Sequence, residues 1–169
     1  MSQIIIAPSY EKPKYNTVFL AGGITNCKDW QADVINELID EPISIFNPRR
    51  EHFDFTDTAA PYVQIKWEFD RLEQMDLFSM YFCKSDSDQP ICMYELGRNI
   101  LRMQNRFPNS WEERIIISVE NGYKRERDVF VQTDLCATKA LIRQYATPED
   151  HASMIKQQMR RIYRLPYGN

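Results

Sequence analysis

Two glutamates have the sequence positions that best suit chemistry. Glu95 follows an apolar run and a polar loop and falls near the start of a predicted helix. At such a position free backbone N–H groups and the helix dipole favour an ionised carboxylate, even when it is partly buried. An ionised, partly desolvated carboxylate can attack a sugar carbon. The alternative is a surface glutamate that only complements the helix dipole.

Glu68 is the second candidate. It follows Ile65 by three residues and precedes Leu72 by four, so it borders the expected buried stripe of its helix. A surface glutamate is the alternative here too. Near a nucleophile, however, Glu68 could position a sugar or take part in proton transfer, since two carboxylates in different environments are the usual equipment of glycosyl chemistry.

Two further segments could bind a ligand. Gly22 and Gly23 end an apolar run and would let a ligand approach the backbone closely, although neither GxGxxG nor GxxxxGK[ST] occurs, so a phosphate-binding loop is poorly supported. Asn47 begins a segment with paired arginines, Arg49 and Arg50. Those arginines could bind a carboxylate or a phosphate, or could lie in a solvated basic loop.

Apolar patterns predict the elements that position these residues. Short apolar runs predict strands over 17–21, 43–46, 77–83, 115–119 and 129–131. Helical spacing predicts helices over 28–39, 61–74, a long segment after Gln89, and 148–163, the last opened by the N-cap Thr147. The expected buried stripe of the second helix consists of Tyr62, Ile65, Phe69 and Leu72.

This alternation favours an α/β fold: a single-domain doubly wound, Rossmann-like or flavodoxin-like parallel sheet of about five strands with helices on both faces. Residues 1–16 are expected to form an irregular lead-in, and 17–169 the domain. Because such sheets bind ligands at the carboxyl ends of their strands, the loops 22–29, 47–61 and 84–95 are the expected binding edge.

The composition of the chain restricts the classes of binding partner that are expected. The 169 residues have a formal net charge of −3, which argues against nucleic acid and against an anionic membrane, and favours a small molecule held in a pocket. With no 18-residue apolar run and no signal-like start, a cytoplasmic location is expected. Four scattered cysteines and two histidines make a metal site unfavoured, and the cysteines are expected to be reduced and structural.

Four motifs occur in an order typical of one family. They are VFLAGGIT at 18–25, IFNPRR at 45–50, WEFDRLEQMDLF at 67–78 and MYELGRN at 93–99. Over residues 17–135 the chain resembles the nucleoside 2-deoxyribosyltransferases and their relatives, the deoxynucleoside 5′-monophosphate N-glycosidases.

The resemblance implies specific roles. Glu95 would be the nucleophile that attacks C1′ of the deoxyribose, Glu68 the helical acid, and the Gly22-Gly23 loop part of the base pocket. Trp67, as core or pocket wall, and Met93, beside the nucleophile motif, are further candidates for the substrate pocket.

One position departs from the family pattern. Six residues before the nucleophile, transferases have an aspartate and the monophosphate hydrolases a phosphate-binding serine, whereas this chain has Gln89. Asp88 could replace that aspartate if the loop is shifted by a residue, and Asp86 is a further possibility of the same kind. The departure leaves the substrate class open.

The resemblance further implies double displacement through a glycosyl-Glu95 ester, with transfer to a second base or hydrolysis by water. No metal or organic cofactor is needed, and a homodimer or larger homo-oligomer is expected. Two alternatives remain: a nucleotide N-glycoside hydrolase acting on a deoxynucleoside 5′-monophosphate or on NAD, and a non-catalytic nucleotide-sensing module.

Overall fold

The computed structural model describes residues 1–54 and 56–164, so Phe55 of the predicted binding edge and residues 165–169 of the predicted domain lie outside the described residues. The strands are β1 (Gln3–Ile6), β2 (Thr17–Gly22), β3 (Ser44–Asn47), β4 (Leu77–Phe82), β5 (Ile115–Val119) and β6 (Leu141–Gln144). The helices are α1 (Trp30–Glu37), α2 (Ala60–Gln74), α3 (Pro90–Arg106), α4 (Glu126–Cys136) and α5 (Pro148–Tyr163).

The strands form one parallel sheet in the order β1-β3-β2-β4-β5-β6. β4 and β5 are buried at every position, as expected for central strands that are covered on both faces. Residues of α2, α3 and α4 pack into the apolar core on one face, and residues of α1 and α5 into the core on the other. The predicted doubly wound α/β fold is confirmed, with six strands in place of about five.

Three strand predictions differ from the structure. The expected irregular lead-in contains β1, which pairs with β3 at the edge of the sheet. The strand predicted over 129–131 is wrong, because these residues lie in α4, where Val129 is fully buried against the core and tertiary packing overrides β propensity. The edge strand β6 was not predicted, since its Arg143 and Gln144 interrupt any apolar run.

The predicted buried stripe of α2 is confirmed at Leu72, which is buried, and wrong at its other three positions. Tyr62, Ile65 and Phe69 are exposed, and the helix instead buries Trp67 and Arg71. The segment after β1 explains this rotation. The Trp67 indole N–H donates to the carbonyl of Ser9 (2.6 Å), and Arg71 Nη2 donates to the carbonyls of Ser9 (2.8 Å) and Glu11 (3.0 Å).

The prediction that all cysteines are reduced is wrong for one pair. Cys27 and Cys83 form a disulfide, with their Cα atoms 6.4 Å apart. The two residues are 56 positions apart in the chain, but they follow the adjacent strands β2 and β4, and the pairing of those strands brings them within disulfide reach. Cys92 and Cys136 are free thiols, the first buried and the second exposed.

Among the described residues, no helix has both the length and the apolar character that crossing a membrane requires.

Candidate functional site

A cavity of about 240 Å³ lies at the carboxyl ends of β2, β3 and β4. All three loops of the predicted binding edge contribute to it. Its lining consists of Phe19, Ala21, Gly22, Gly23, Ile24, Thr25, Pro48, Glu68, Ser87, Gln89, Pro90, Ile91, Cys92 and Glu95. The structure therefore brings together Glu95, Glu68, Gly22 and Gly23 out of the predicted site residues.

Glu95 enters this cavity from α3. It is the sixth residue of the helix, in the second turn, so the free N–H groups of the helix start do not reach it as the sequence suggested. Burial raises the pKa of Glu95 to about 7, the nearby Glu68 carboxyl acts in the same direction, and Arg98 and Arg102 oppose both. Desolvation therefore opposes the ionised form that the helix start was expected to favour.

Glu68 enters the cavity from α2. Its Oε1 accepts a hydrogen bond from Gln64 Nε2 (2.7 Å), and the same nitrogen donates to the carbonyl of Pro48 (2.8 Å), which ties the acid to the loop after β3. Burial raises the pKa of Glu68, and the Gln64 hydrogen bond and the Arg50 charge oppose that shift. Two neighbouring acids with raised pKa values can hold one proton and one negative charge between them near neutral pH.

The glycines are required by close packing. Gly22 has a φ of +152°, and a Cβ there would stand 2.3 Å from the carbonyl oxygen of Tyr81. At Gly23 a Cβ would meet Cys27 Sγ at 2.6 Å, Cys83 Sγ at 2.7 Å and the Gln89 Oε1 at 2.8 Å. The backbone of this loop therefore lines the cavity and also packs against the disulfide.

Arg49 and Asn47 lie beside the cavity and do not line it. Arg49 Nε donates to Gln31 Oε1 (2.9 Å), and its Nη2 donates to three carbonyls, those of Ile24 (3.2 Å), Cys27 (3.4 Å) and Lys28 (3.0 Å). The Asn47 side chain accepts from the Arg49 N–H (3.0 Å). In this structure both residues position the glycine loop, and the Nε and Nη2 groups of Arg49 are engaged by protein.

Three further predicted residues also lie outside the lining. Trp67 is fully buried among the aromatic rings of Phe19 and Phe46, as a core residue. Met93 packs against the same core. Asp88 is exposed, and its carbonyl accepts from the Tyr123 hydroxyl (2.8 Å).

Sequence reasoning did not assign Gln89 to the lining. Gln89 has a left-handed backbone conformation (φ 50°) immediately before Pro90, the first residue of α3, and its side chain is buried. Its place between a buried strand and a proline-initiated helix was visible in the sequence, but the direction of its side chain was not. No group of His, Cys, Asp or Glu in the described part of the chain has an arrangement suited to a metal ion.

Comparison with known proteins agrees with the order of the motifs. A family model described as "nucleoside 2-deoxyribosyltransferase like" matches residues 15–107, more than half of the chain, and confirms the resemblance drawn from the sequence. No curated protein matches the chain. The matched segment contains β2, β3, β4 and α2 and all of α3, the elements that build the cavity. This chain therefore belongs to the nucleoside 2-deoxyribosyltransferase-like family.

Proposed function

We propose that this protein cleaves the N-glycosidic bond of a deoxynucleoside and transfers the deoxyribosyl group to a second base, with Glu95 as the nucleophile. The observation that supports this most directly is the pairing of two half-buried acids, one from α2 and one from α3, in a single cavity closed by a glycine loop.

In the first step the Glu95 carboxylate attacks C1′ of the sugar. The C1′–N bond breaks as the C1′–O bond forms, and the base leaves with the electron pair of the broken bond. A proton must reach the departing base. Glu68 is the second carboxyl group of the lining, burial raises its pKa, and it is the group placed to pass a proton to the base directly or through the sugar hydroxyls.

In the second step an acceptor base attacks C1′ of the glycosyl ester, the C1′–O bond breaks to release the Glu95 carboxylate, and the N–H proton of the acceptor returns to the group that protonated the first base. Water attacking the same ester would give hydrolysis, so the balance between transfer and hydrolysis depends on whether the base or water occupies the cavity. A cavity of about 240 Å³ is the space available to the leaving and the incoming base in turn.

The test is a product analysis of purified protein incubated with deoxynucleosides, with and without a free acceptor base. We expect new nucleosides only when acceptor is present, and their loss in Glu95→Gln. Glu37→Gln, an exposed glutamate on α1, is the matched control and should keep full activity. Mass spectrometry of acid-quenched protein should find a deoxyribosyl adduct on the Glu95 peptide of the wild type.

Two other outcomes would redirect the proposal. Free base released at the same rate with and without acceptor would indicate a hydrolase that uses the same glutamate. Ligand binding that survives Glu95→Gln, with no turnover by either protein, would contradict an enzyme and favour a nucleotide-sensing module.

A further inference from the structure

The Cys27–Cys83 disulfide joins two of the loops that line the cavity. Cys27 belongs to the loop after β2, which contributes the glycines of the lining, and Cys83 begins the loop after β4, which contributes Gln89. The last backbone pair between β2 and β4 is Gly22 with Tyr81. The disulfide therefore extends the connection between these strands past the end of the sheet, at the cavity.

Two lining residues are tied to the position of the disulfide. The contacts that a Cβ at Gly23 would make with Cys27 Sγ (2.6 Å) and Cys83 Sγ (2.7 Å) show that both sulfurs pack directly against the backbone of this glycine. On the other loop, the carbonyl of Cys83 accepts a hydrogen bond from Gln89 Nε2 (2.5 Å). A movement of either cysteine therefore reaches the wall of the cavity.

Reduction of the disulfide requires such a movement. Two thiols need more room than a bonded pair of sulfurs, because non-bonded atoms stay farther apart than bonded ones. Both sulfurs already touch Gly23, so on that side they can separate only by displacing the glycine loop. Protein interiors are close-packed and transmit a displacement of this kind. The state of the disulfide therefore affects the separation of the two loops.

The two sulfurs differ in their access to solvent. Cys83 is only 2% exposed, whereas Cys27 is partly exposed and lies between the exposed residues Asn26 and Lys28. Thiol–disulfide exchange begins when a thiolate attacks one sulfur and the other sulfur leaves. A thiolate from solution therefore attacks Cys27, and Cys83 is the leaving group.

We propose that the Cys27–Cys83 disulfide is a reversible redox switch of the cavity. The oxidised form holds the two loops together in the ligand-binding arrangement, and the reduced form lets them separate and binds ligand more weakly. The reductant is a dithiol. Its first thiolate forms a mixed disulfide with Cys27 and releases Cys83, and its second thiolate attacks the mixed disulfide and releases Cys27. The dithiol becomes a cyclic disulfide, and its two electrons and two protons pass to the two cysteines.

The first experiment needs no substrate. Folded protein is treated in turn with oxidised glutathione, dithiothreitol and oxidised glutathione again, and free thiols are counted after each step by alkylation in denaturant. We expect two thiols in the oxidised form, those of Cys92 and Cys136, then four, then two again. Four thiols after oxidation, or a disulfide that dithiothreitol reduces only in denaturant, would overturn the proposal.

Amide hydrogen exchange of the same samples locates the effect of reduction. We expect amides of segments 23–28 and 84–89 to exchange at least about threefold faster in the reduced protein, while those of α5 are unchanged. Faster exchange over the whole chain would mean that the disulfide only stabilises the fold, and unchanged exchange in both segments would mean that the loops do not respond. Either result contradicts the switch.

The second experiment rests on the proposed function. Binding of the four common 2′-deoxynucleosides to the oxidised and reduced forms of Glu95→Gln, which should not turn them over, is measured by calorimetry. We expect reduction to raise Kd about tenfold and reoxidation to restore it. Equal Kd values for the two forms would overturn the switch. If no nucleoside binds either form, the proposed function fails, and the thiol count and hydrogen exchange decide the switch by themselves.

The variant Cys27→Ser tests the assignment to this disulfide, and Cys136→Ser, an exposed position on α4 outside the lining, is its matched control. We expect Cys27→Ser to exchange like reduced wild type and to ignore dithiothreitol, whereas Cys136→Ser should keep the response. A response that persists in Cys27→Ser would contradict the assignment. Thermal unfolding checks that Cys27→Ser folds, and if it does not, reduced and reoxidised wild type decide alone.

Discussion

Two clusters of buried polar side chains lie on opposite faces of the sheet, and they differ in how completely they are paired. On the α5 face, His151 is fully buried, with Nδ1 2.7 Å from Ser118 Oγ and Nε2 3.2 Å from Ser79 Oγ. On the α3 face, Glu68, Glu95 and Gln89 are also withdrawn from solvent, but they line a cavity.

The histidine cluster is closed. Ser79 Oγ donates its proton to the carbonyl of Phe19 (3.0 Å), so it must accept from the Nε2–H of His151. Nδ1 then accepts from the Ser118 hydroxyl, and both ring nitrogens of a neutral imidazole are satisfied. Burial lowers the pKa of His151 to about 3, which keeps the ring neutral at physiological pH.

The acid cluster is open, since the amide oxygen of Gln89 has no described donor and burial raises the pKa of both glutamates. Burial of a titratable group alone therefore does not mark a functional site. A fully paired buried group stabilises the fold, whereas an incompletely paired one beside a cavity is arranged for a ligand.

The largest effect is expected from His151→Ala. The change removes a ring that stacks edge-on against Trp30 and Tyr81, and it leaves two buried hydroxyls without their partner. We expect the free energy of unfolding to fall by about 3–4 kcal/mol, by denaturant titration. If the protein is assayed at a temperature where the variant is folded, kcat/KM should stay within about twofold of wild type. A loss of activity equal to that of Glu95→Gln would break the distinction between the clusters.

The second prediction concerns the pH dependence of activity. As the proposed nucleophile Glu95 must be ionised, and its pKa lies at about 7. We therefore expect kcat/KM to fall about 100-fold from pH 8 to pH 5, tenfold for each unit below 7. A rate profile that is flat down to pH 5 would mean that the acid keeps an ordinary pKa, or that chemistry is not limiting. A presteady-state burst of released base distinguishes these two cases.

The third prediction is that Glu95→Gln stabilises the protein. Because the pKa of Glu95 is raised from 4.5 to about 7, the folded state binds a proton more tightly than the unfolded state, and stability falls as pH rises through that window. Removing the charge should raise the free energy of unfolding by about 2–3 kcal/mol at pH 8 and by nearly nothing at pH 4. Glu37→Gln should change neither value, and a Glu95→Gln protein less stable than wild type at pH 8 would contradict the prediction.

Much of the fold could be predicted because its signals are local. β4 and β5 are continuous apolar runs, and α5 opens with the capping box of Thr147 and Asp150. The predictions failed where a distant segment decides. The chain after β1 turns α2 so that Trp67 faces inward, and the pairing of adjacent strands closes the Cys27–Cys83 disulfide.

In the candidate site, too, the features set by local sequence could be predicted, and those set by distant segments could not. Glu95, Glu68, Gly22 and Gly23 could be placed at one cavity because they follow or adjoin strands whose carboxyl ends meet, and because their motifs occur in a known order. The engagement of Arg49 by backbone carbonyls, and the unpaired oxygen of Gln89, depend on atoms from several loops. No sequence pattern states which hydrogen bonds a side chain has already made.

The smallest expected effect is the contribution of His151 to the pH dependence of stability, and its sign is opposite to that of Glu95. The folded state holds the pKa of His151 at about 3 against an ordinary value of 6.5, so the unfolded state binds the proton first, and stability falls as pH drops below 6.5. As pH falls from 7 to 5.5, this histidine should lower the free energy of unfolding by about 1 kcal/mol. The raised pKa of Glu95 changes the free energy of unfolding in the opposite direction over the same interval. Comparing wild type with His151→Gln, which does not titrate, isolates the histidine part by denaturant titration at the two pH values. The variant should lose the acid-induced destabilisation, so its stability should rise relative to wild type as pH falls. A difference between the two proteins that is the same at pH 7 and pH 5.5 would mean that His151 is not held neutral, and that the closed cluster admits a proton after all.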